Sequence, residues 1–215
     1  MRYLISGGSL LYRMWASGSN IEAISTVMND LPNQVIASSS LAQIIKQFNL
    51  EEEKKMKRGF DILSSLIAII LFSPILVVLA MIVKCTSPGP ILFKQRRIGK
   101  DNQEFMIYKF RTMRIDTPNV ATHLLKNPEQ YITPIGKFMR KTSLDELPQL
   151  FNILKGEMSV VGPRPALYNQ YDLIEMRTKA NVHTIRPGLT GLAQVSGRDE
   201  LENEQKVYFD QQYVQ

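Results

Sequence analysis

From Ile62 to Val83 the chain runs for 22 residues in which Ser64, Ser65 and Ser73 are the only polar side chains. A helix rises about 1.5 Å per residue, so this run is long enough to cross a hydrocarbon core roughly 30 Å thick. A helix that is apolar on every side offers no face to water. In a chain of only 215 residues it is expected to meet lipid rather than hide in a soluble core. Cations flank it on both sides, Lys54, Lys55, Lys57 and Arg58 before and Lys84, Lys94, Arg96 and Arg97 after. Basic residues collect at the cytoplasmic, anionic face of a membrane, so this pattern fits two helix ends in one interface. Ser73-Pro74 falls mid-run, and proline both lacks an amide donor and clashes with the preceding turn. A kink is expected there.

The rest of the charge balance points the same way. The chain carries 26 Lys and Arg against 20 Asp and Glu, a net charge of +6. Such a surface favours anionic lipid, phosphorylated substrates or nucleic acid. Nucleic acid drops out, because no nucleic-acid motif is present and the aromatic residues do not alternate with the basic ones. Cys85 is the only cysteine and the two histidines, His123 and His183, are far apart. Neither a disulfide framework nor a clustered zinc site is expected, and Cys85 reads as packing rather than as a nucleophile.

Three segments follow. Residues 1–50 form an accessory N-terminal extension: Met1 to Ser9 reads as a short strand running into a glycine turn without the spacing of a dinucleotide-binding loop, and no signal peptide is evident. A helix is expected to start at Ser38 to Ser40 with Leu41, Ile44, Ile45 and Phe48 on one face. Residues 54–86 hold the basic flank and the membrane helix, and 87–215 the remaining domain. There, Ile91 to Phe93 and Phe105 to Phe110 have strand character and are joined by Gly99 to Asn102, which predicts a β-hairpin. Loop and short helix are expected over 114–133, helix from about Leu144 to Leu154 ending at Gly156, helix over 167–180, strand or loop over Gly191 to Gly197, and helix from Leu201 to Tyr213. The fold class is α+β, mostly helical with a small hairpin.

The centre of that domain is the stretch from Arg140 to Pro165, in which the adjacent carboxylates Asp145 and Glu146 lie between a basic approach and a Gly-Pro-Arg-Pro exit. Neighbouring helical residues point about 100° apart, so one carboxylate can face a substrate while the other holds a metal or a proton. The simpler alternative is that Ser143 caps a helix whose first turn favours anions. Lys109, Arg111, Arg140, Arg164 and Arg96 are the candidate phosphate contacts, arginine suiting a two-point grip and lysine a point charge.

Ser143-Leu-Asp-Glu-Leu-Pro-Gln149, Asn152 to Gly156 and Met158 to Pro165 resemble the bacterial sugar transferases that load a phosphosugar onto polyprenyl phosphate, the monotopic phosphoglycosyl transferases. Lys94 to Gly99, Lys109 to Met113, Arg186 to Gly191 and Gln194 to Arg198 agree in order, and the resemblance covers roughly residues 57–214. It implies that Ser73-Pro74 breaks a re-entrant helix that enters and leaves on one face. It also implies that Asp145 attacks the sugar-bearing phosphate of a UDP-sugar, that UMP leaves, that polyprenyl (undecaprenyl) phosphate then takes the phosphosugar, and that Glu146 holds Mg²⁺. The expected location is the bacterial inner membrane with the catalytic domain on its cytoplasmic face, in a chain that is a monomer or a homo-oligomer. Family members continue past the position of Tyr213 with a further amphipathic stretch, whereas this sequence stops at Gln215. The alternative readings are a membrane-anchored lipid- or phosphate-binding scaffold without catalysis, and a phosphotransferase for soluble substrates.

Overall fold

A computed structural model describes residues 39–117, 127–197 and 200–214, with side chains from Leu50 onward. The expectations for Met1 to Ser9 and for 118–126 lie outside the described residues, while the described remainder of 114–133 is loop with one short 3₁₀ turn, Pro128–Gln130. The chain divides into two compact units, Met1–Met56 and Lys57–Gln215. The first contributes the start of helix α1, Ser39–Thr86.

From Lys57 on, α1 shows one inward stripe. Asp61, Ser65, Leu79 and Val83 are buried and Ala68, Ile69, Phe72, Leu76 and Ala80 half-buried, at helical spacings of three and four. Its outward side chains, among them Leu63, Ile67, Ile70, Leu71, Val77 and Met81, are exposed. The most apolar part of the helix has a mean hydropathy of 3.1 and is only 11% buried, so it is long and apolar enough to cross a membrane. The helix runs unbroken through Pro74, where the sequence predicted a kink. Pro74 cannot donate to the carbonyl of Ile70 four residues back; the Ser73 hydroxyl donates to it instead, at 2.8 Å.

The hairpin forms where expected, from β1 (Leu92–Ile98) and β2 (Glu104–Phe110), antiparallel with Gln95 opposite Ile107. Helix α2 (Pro134–Thr142) starts with a Thr133 side-chain cap accepting from the Gly136 amide. Helix α3 covers Gln149–Lys155, and α4 Tyr171–Lys179. The sequence reading missed a second sheet, β3 (Ser159–Val161) paired in parallel with β4 (Gly188–Thr190). Helices α5 (Leu192–Ser196) and α6 (Asn203–Val214) complete the fold, α5 standing where strand or loop was expected. The architecture is mostly helical with two small sheets.

Two apolar clusters seat the membrane helix on this unit. Ala68 and Ile69 pack on Ile107, Leu150, Ile153 and Met158. Further along, Leu79 and Val83 join Phe110 and Met139. Polar contacts fix its beginning. Arg58 donates to the Ile153 and Leu154 carbonyls at 2.7 and 2.9 Å, supplying donors and positive charge at the C-terminus of α3. Lys57 reaches the Val161 carbonyl at 3.1 Å and the Tyr213 hydroxyl at 2.5 Å. Asp61, 2% exposed, accepts from the Ser159 hydroxyl and the Val160 amide at 3.0 and 2.9 Å. Two of the flanking cations thus bind protein rather than facing lipid phosphates.

Removing the Asp61 carboxyl leaves two buried donors without an acceptor. Asp61→Ala should cost about 3 kcal/mol, read as a lowered thermal midpoint of the detergent-solubilised protein. An unchanged midpoint would show that this contact does not hold the helix to the unit.

Candidate active site

The two carboxylates do not lie in the first turn of an α-helix. Helix α2 ends at Ser143, whose backbone adopts the left-handed conformation (φ +57°), and Leu144–Glu146 form a single 3₁₀ turn. Pro148 explains the break, because it has no amide to donate back to the Leu144 carbonyl. Leu147 donates there instead, at 3.3 Å, and α3 starts only at Gln149. The Ser143 side chain makes no capping hydrogen bond, which removes the capping alternative and corrects the continuous helix expected over 144–154. Leu144 and Leu147 anchor the turn, Leu147 touching both apolar clusters.

Glu146 faces two cations. Lys109, near the end of β2, donates to Glu146 Oε1 at 2.7 Å, and Arg164 Nη2, from the Gly-Pro-Arg-Pro segment, reaches the same oxygen at 3.1 Å. Side-chain exposures of 16% and 18% for Lys109 and Glu146 mean that this pair is little screened by solvent. Burial alone would push the Glu146 carboxyl up, but the fields and hydrogen bonds of Lys109 and Arg164 outweigh it and hold the group at about 2. The same burial pushes the Lys109 ammonium down, against the pull of Glu146.

Asp145, 8% exposed, moves the other way. Burial raises its carboxyl, opposed by Lys109 and Arg140 and reinforced by the neighbouring Glu146 charge. Two adjacent carboxylates are therefore shifted in opposite directions by their surroundings. Arg140, in the last turn of α2, is held by its Nε donating to Thr112 Oγ1 at 2.9 Å.

Of the five cations singled out by sequence, the structure brings Lys109 and Arg164 onto Glu146 and places Arg140 where its charge reaches Asp145. Arg111 is engaged elsewhere. Buried, it donates to the Ser87 carbonyl and hydroxyl and the Pro88 carbonyl at 2.5 to 2.8 Å, stapling the turn that follows the membrane helix. Arg96 is exposed beside Glu104 at 3.5 Å and lies 4.2 Å from the Tyr168 ring centroid, outside the Glu146 cluster.

Sequence reading missed Thr112, which positions Arg140, and Asn152. The latter is fully buried, accepts from the Tyr108 amide at 3.0 Å and donates to the Met106 carbonyl at 2.8 Å, fastening α3 to β2 behind Lys109. A single amide inside the apolar run Leu150 to Leu154 was the available signal.

Among the described residues no three His, Cys, Asp or Glu side chains converge as a metal site. Mg²⁺ does not require such a cage, since it is commonly held by one or two carboxylates together with substrate phosphates. The donor set fits it: Glu146 is a hard, firmly ionised carboxylate whose two ion pairs both fall on Oε1.

Comparison with known proteins identifies the family. The family model described as bacterial sugar transferase matches residues 52–215. The UDP-N-acetylgalactosamine-undecaprenyl-phosphate N-acetylgalactosaminephosphotransferase of Aeromonas hydrophila is 45% identical over 143 residues, covering 65% of this chain and 34% of that protein. The exopolysaccharide production protein ExoY of Rhizobium meliloti is 41% identical over 174 residues, 74% of this chain and 76% of its own. The UDP-glucose:undecaprenyl-phosphate glucose-1-phosphate transferase of Escherichia coli is 42% identical over 169 residues, 74% of this chain and 36% of its own. The aligned region thus spans about a third of the Aeromonas and Escherichia proteins and about three quarters of ExoY. With the family pattern running from the basic flank of α1 to the last residue, the chain belongs to the bacterial sugar transferase family.

Proposed function

We propose that the protein transfers a phosphosugar from a UDP-sugar to polyprenyl phosphate, releasing UMP, with Asp145 as the nucleophile. The observation that carries this reading is the Asp145-Glu146 turn, where a carboxylate of raised basicity adjoins one kept ionised by Lys109 and Arg164. Relatives named for undecaprenyl-phosphate sugar transfer support it.

The chemistry exchanges one phosphoanhydride for another, so no external energy source is needed. An Asp145 carboxylate oxygen attacks the sugar-bearing phosphorus. The P–O bond to UMP breaks, its electron pair leaving on the UMP oxygen, and an acyl phosphate remains on Asp145. An oxygen of polyprenyl phosphate then attacks the same phosphorus, and the bond to Asp145 breaks to restore the carboxylate. Dividing the transfer into two displacements gives ping-pong kinetics. Lys109, Arg164 and Arg140 supply positive charge for the diphosphate, arginine by a two-point grip. Glu146 is the residue to hold Mg²⁺, which when bound supplies Lewis-acid stabilisation of phosphate charge.

The acceptor is a lipid, and the apolar face of α1 provides the approach to it. A re-entrant arrangement, with both helix ends at the cytoplasmic face of the inner membrane, is the topology we favour. Lys57, Arg58 and Asp61 near one end and Leu79 and Val83 near the other all pack on the same unit. A helix held at both ends by one polar-surfaced unit does not readily separate those ends into two aqueous compartments.

Three outcomes are expected. Asp145→Asn should lower UMP release by about 10³-fold or more, and wild-type protein given UDP-sugar alone should gain the mass of a phosphosugar on the peptide carrying Asp145. Robust ping-pong turnover by the Asn variant would overturn the assignment. Because the attacking carboxylate must be ionised, activity should fall as pH drops through the Asp145 value. The acid limb of the donor half-reaction should therefore lie above the ordinary aspartate value of 3.8 rather than near the Glu146 value of about 2. A limb at or below 3.8 would contradict the role given to burial. For topology, the exposed native Cys85 and a Met56→Cys substitution in a Cys85→Ser background should react with an impermeant thiol reagent from the same side of sealed vesicles. Labelling from opposite sides would establish a true span.

A further inference from the structure

Four successive carbonyls around the active-site arginine are held by four different donors. The Gly188 amide of β4 donates to Pro163 at 2.8 Å, Arg177 Nη1 of α4 to Arg164 at 2.7 Å, Arg97 Nη1 of β1 to Pro165 at 2.9 Å, and the Ile98 amide to Ala166 at 2.9 Å. Pro163 and Pro165 fix the backbone dihedrals on both sides of Arg164. Arg177 is itself buried, and its Nε and Nη2 donate to Asp210 Oδ2 of α6 at 2.9 and 2.6 Å.

We propose that Arg177, braced by Asp210, is a positioning residue that holds the main chain at Arg164 so that the Arg164 guanidinium reaches the phosphate site. Through this link the C-terminal helix α6 sets the geometry of the cation clamp. The proposal rests on the transferase reading of the site.

Stability alone is a poor reason for this buried pair. Desolvating two charges largely cancels their attraction, and apolar replacements of similar volume are often as stable. The apolar contacts that join α4 to α6 are already present, with Leu173, Val207 and Ala166 forming one cluster. An apolar residue at position 177 would extend that cluster but would have nothing to donate to the Arg164 carbonyl. The guanidinium serves both ends at once, with two donors on Asp210 and a third on the backbone of the residue that contacts Glu146. A shift of about 1 Å in a charge-neutralising group is enough to slow a reaction by about 100-fold. The bond to the carbonyl limits such a shift.

The test is a double-mutant cycle on the full-length protein in detergent, read as UMP release and separately as affinity for UDP. Arg177→Lys keeps the charge but loses the fork, and Asp210→Asn removes the brace. Breaking a buried pair lowers the thermal midpoint, so turnover is read well below the midpoint of each folded variant; there each should lower kcat by about 10-fold and weaken UDP binding. In an Arg164→Ala background the same substitutions should cost almost nothing further, because the group they position is gone. Equal losses in both backgrounds would overturn the proposal, as would unchanged turnover in both single variants. Unfolding of both variants would make the pair a structural strut and equally overturn it. Should wild-type protein release no UMP from any UDP-sugar, the transferase reading fails, and the cycle read in UDP affinity decides the positioning claim by itself.

Discussion

The salt-bridge cluster on Glu146 Oε1 joins three otherwise separate parts of the chain. Lys109 arrives on the hairpin, Glu146 on a 3₁₀ turn between two helices, and Arg164 on a proline-locked segment leaving the parallel sheet. Each element is short, and their stability comes from packing on α1 and on one another rather than from length. If the cations moved away, Glu146 would lose the interactions that overcome its burial and would become a far more basic carboxyl. Asp145 shows what burial does to a carboxyl less firmly compensated.

The membrane helix belongs to this framework. Its inward stripe completes the two apolar clusters, and Arg58 closes the C-terminus of the helix that follows the acidic turn. Burying a leucine or isoleucine side chain contributes about 1.5 to 3 kcal/mol, so side chains such as Leu79 and Val83 matter greatly to so small a unit. The same helix offers lipid its other face. One element thus stabilises the unit and presents an exposed apolar face.

Much of this was legible in the sequence because it rests on strong local signals. Two runs of strand character joined by a polar, glycine-led turn revealed the hairpin, and length and hydropathy revealed the apolar helix. Charge spacing drew attention to Lys109, Arg140 and Arg164. Arg111 and Lys109 are both basic residues in one short block, however, and nothing local distinguishes a cation that staples a turn from one that contacts a carboxylate. The three-residue strands β3 and β4 were missed because three residues show no periodicity and their partners lie about thirty positions apart. Arg177 and Asp210 pair across 33 positions, and their link to Arg164 exists only in the folded chain.

The Ser73 hydroxyl on the Ile70 carbonyl gives the apolar helix a particular mechanical character. Elsewhere along the apolar run a bend would have to break a backbone hydrogen bond and leave a carbonyl without a donor, a severe penalty where no water is available. At Pro74 the amide is missing already, and the carbonyl is satisfied by a side chain that rotates with the chain as it bends. The helix is therefore most compliant midway along its exposed apolar face.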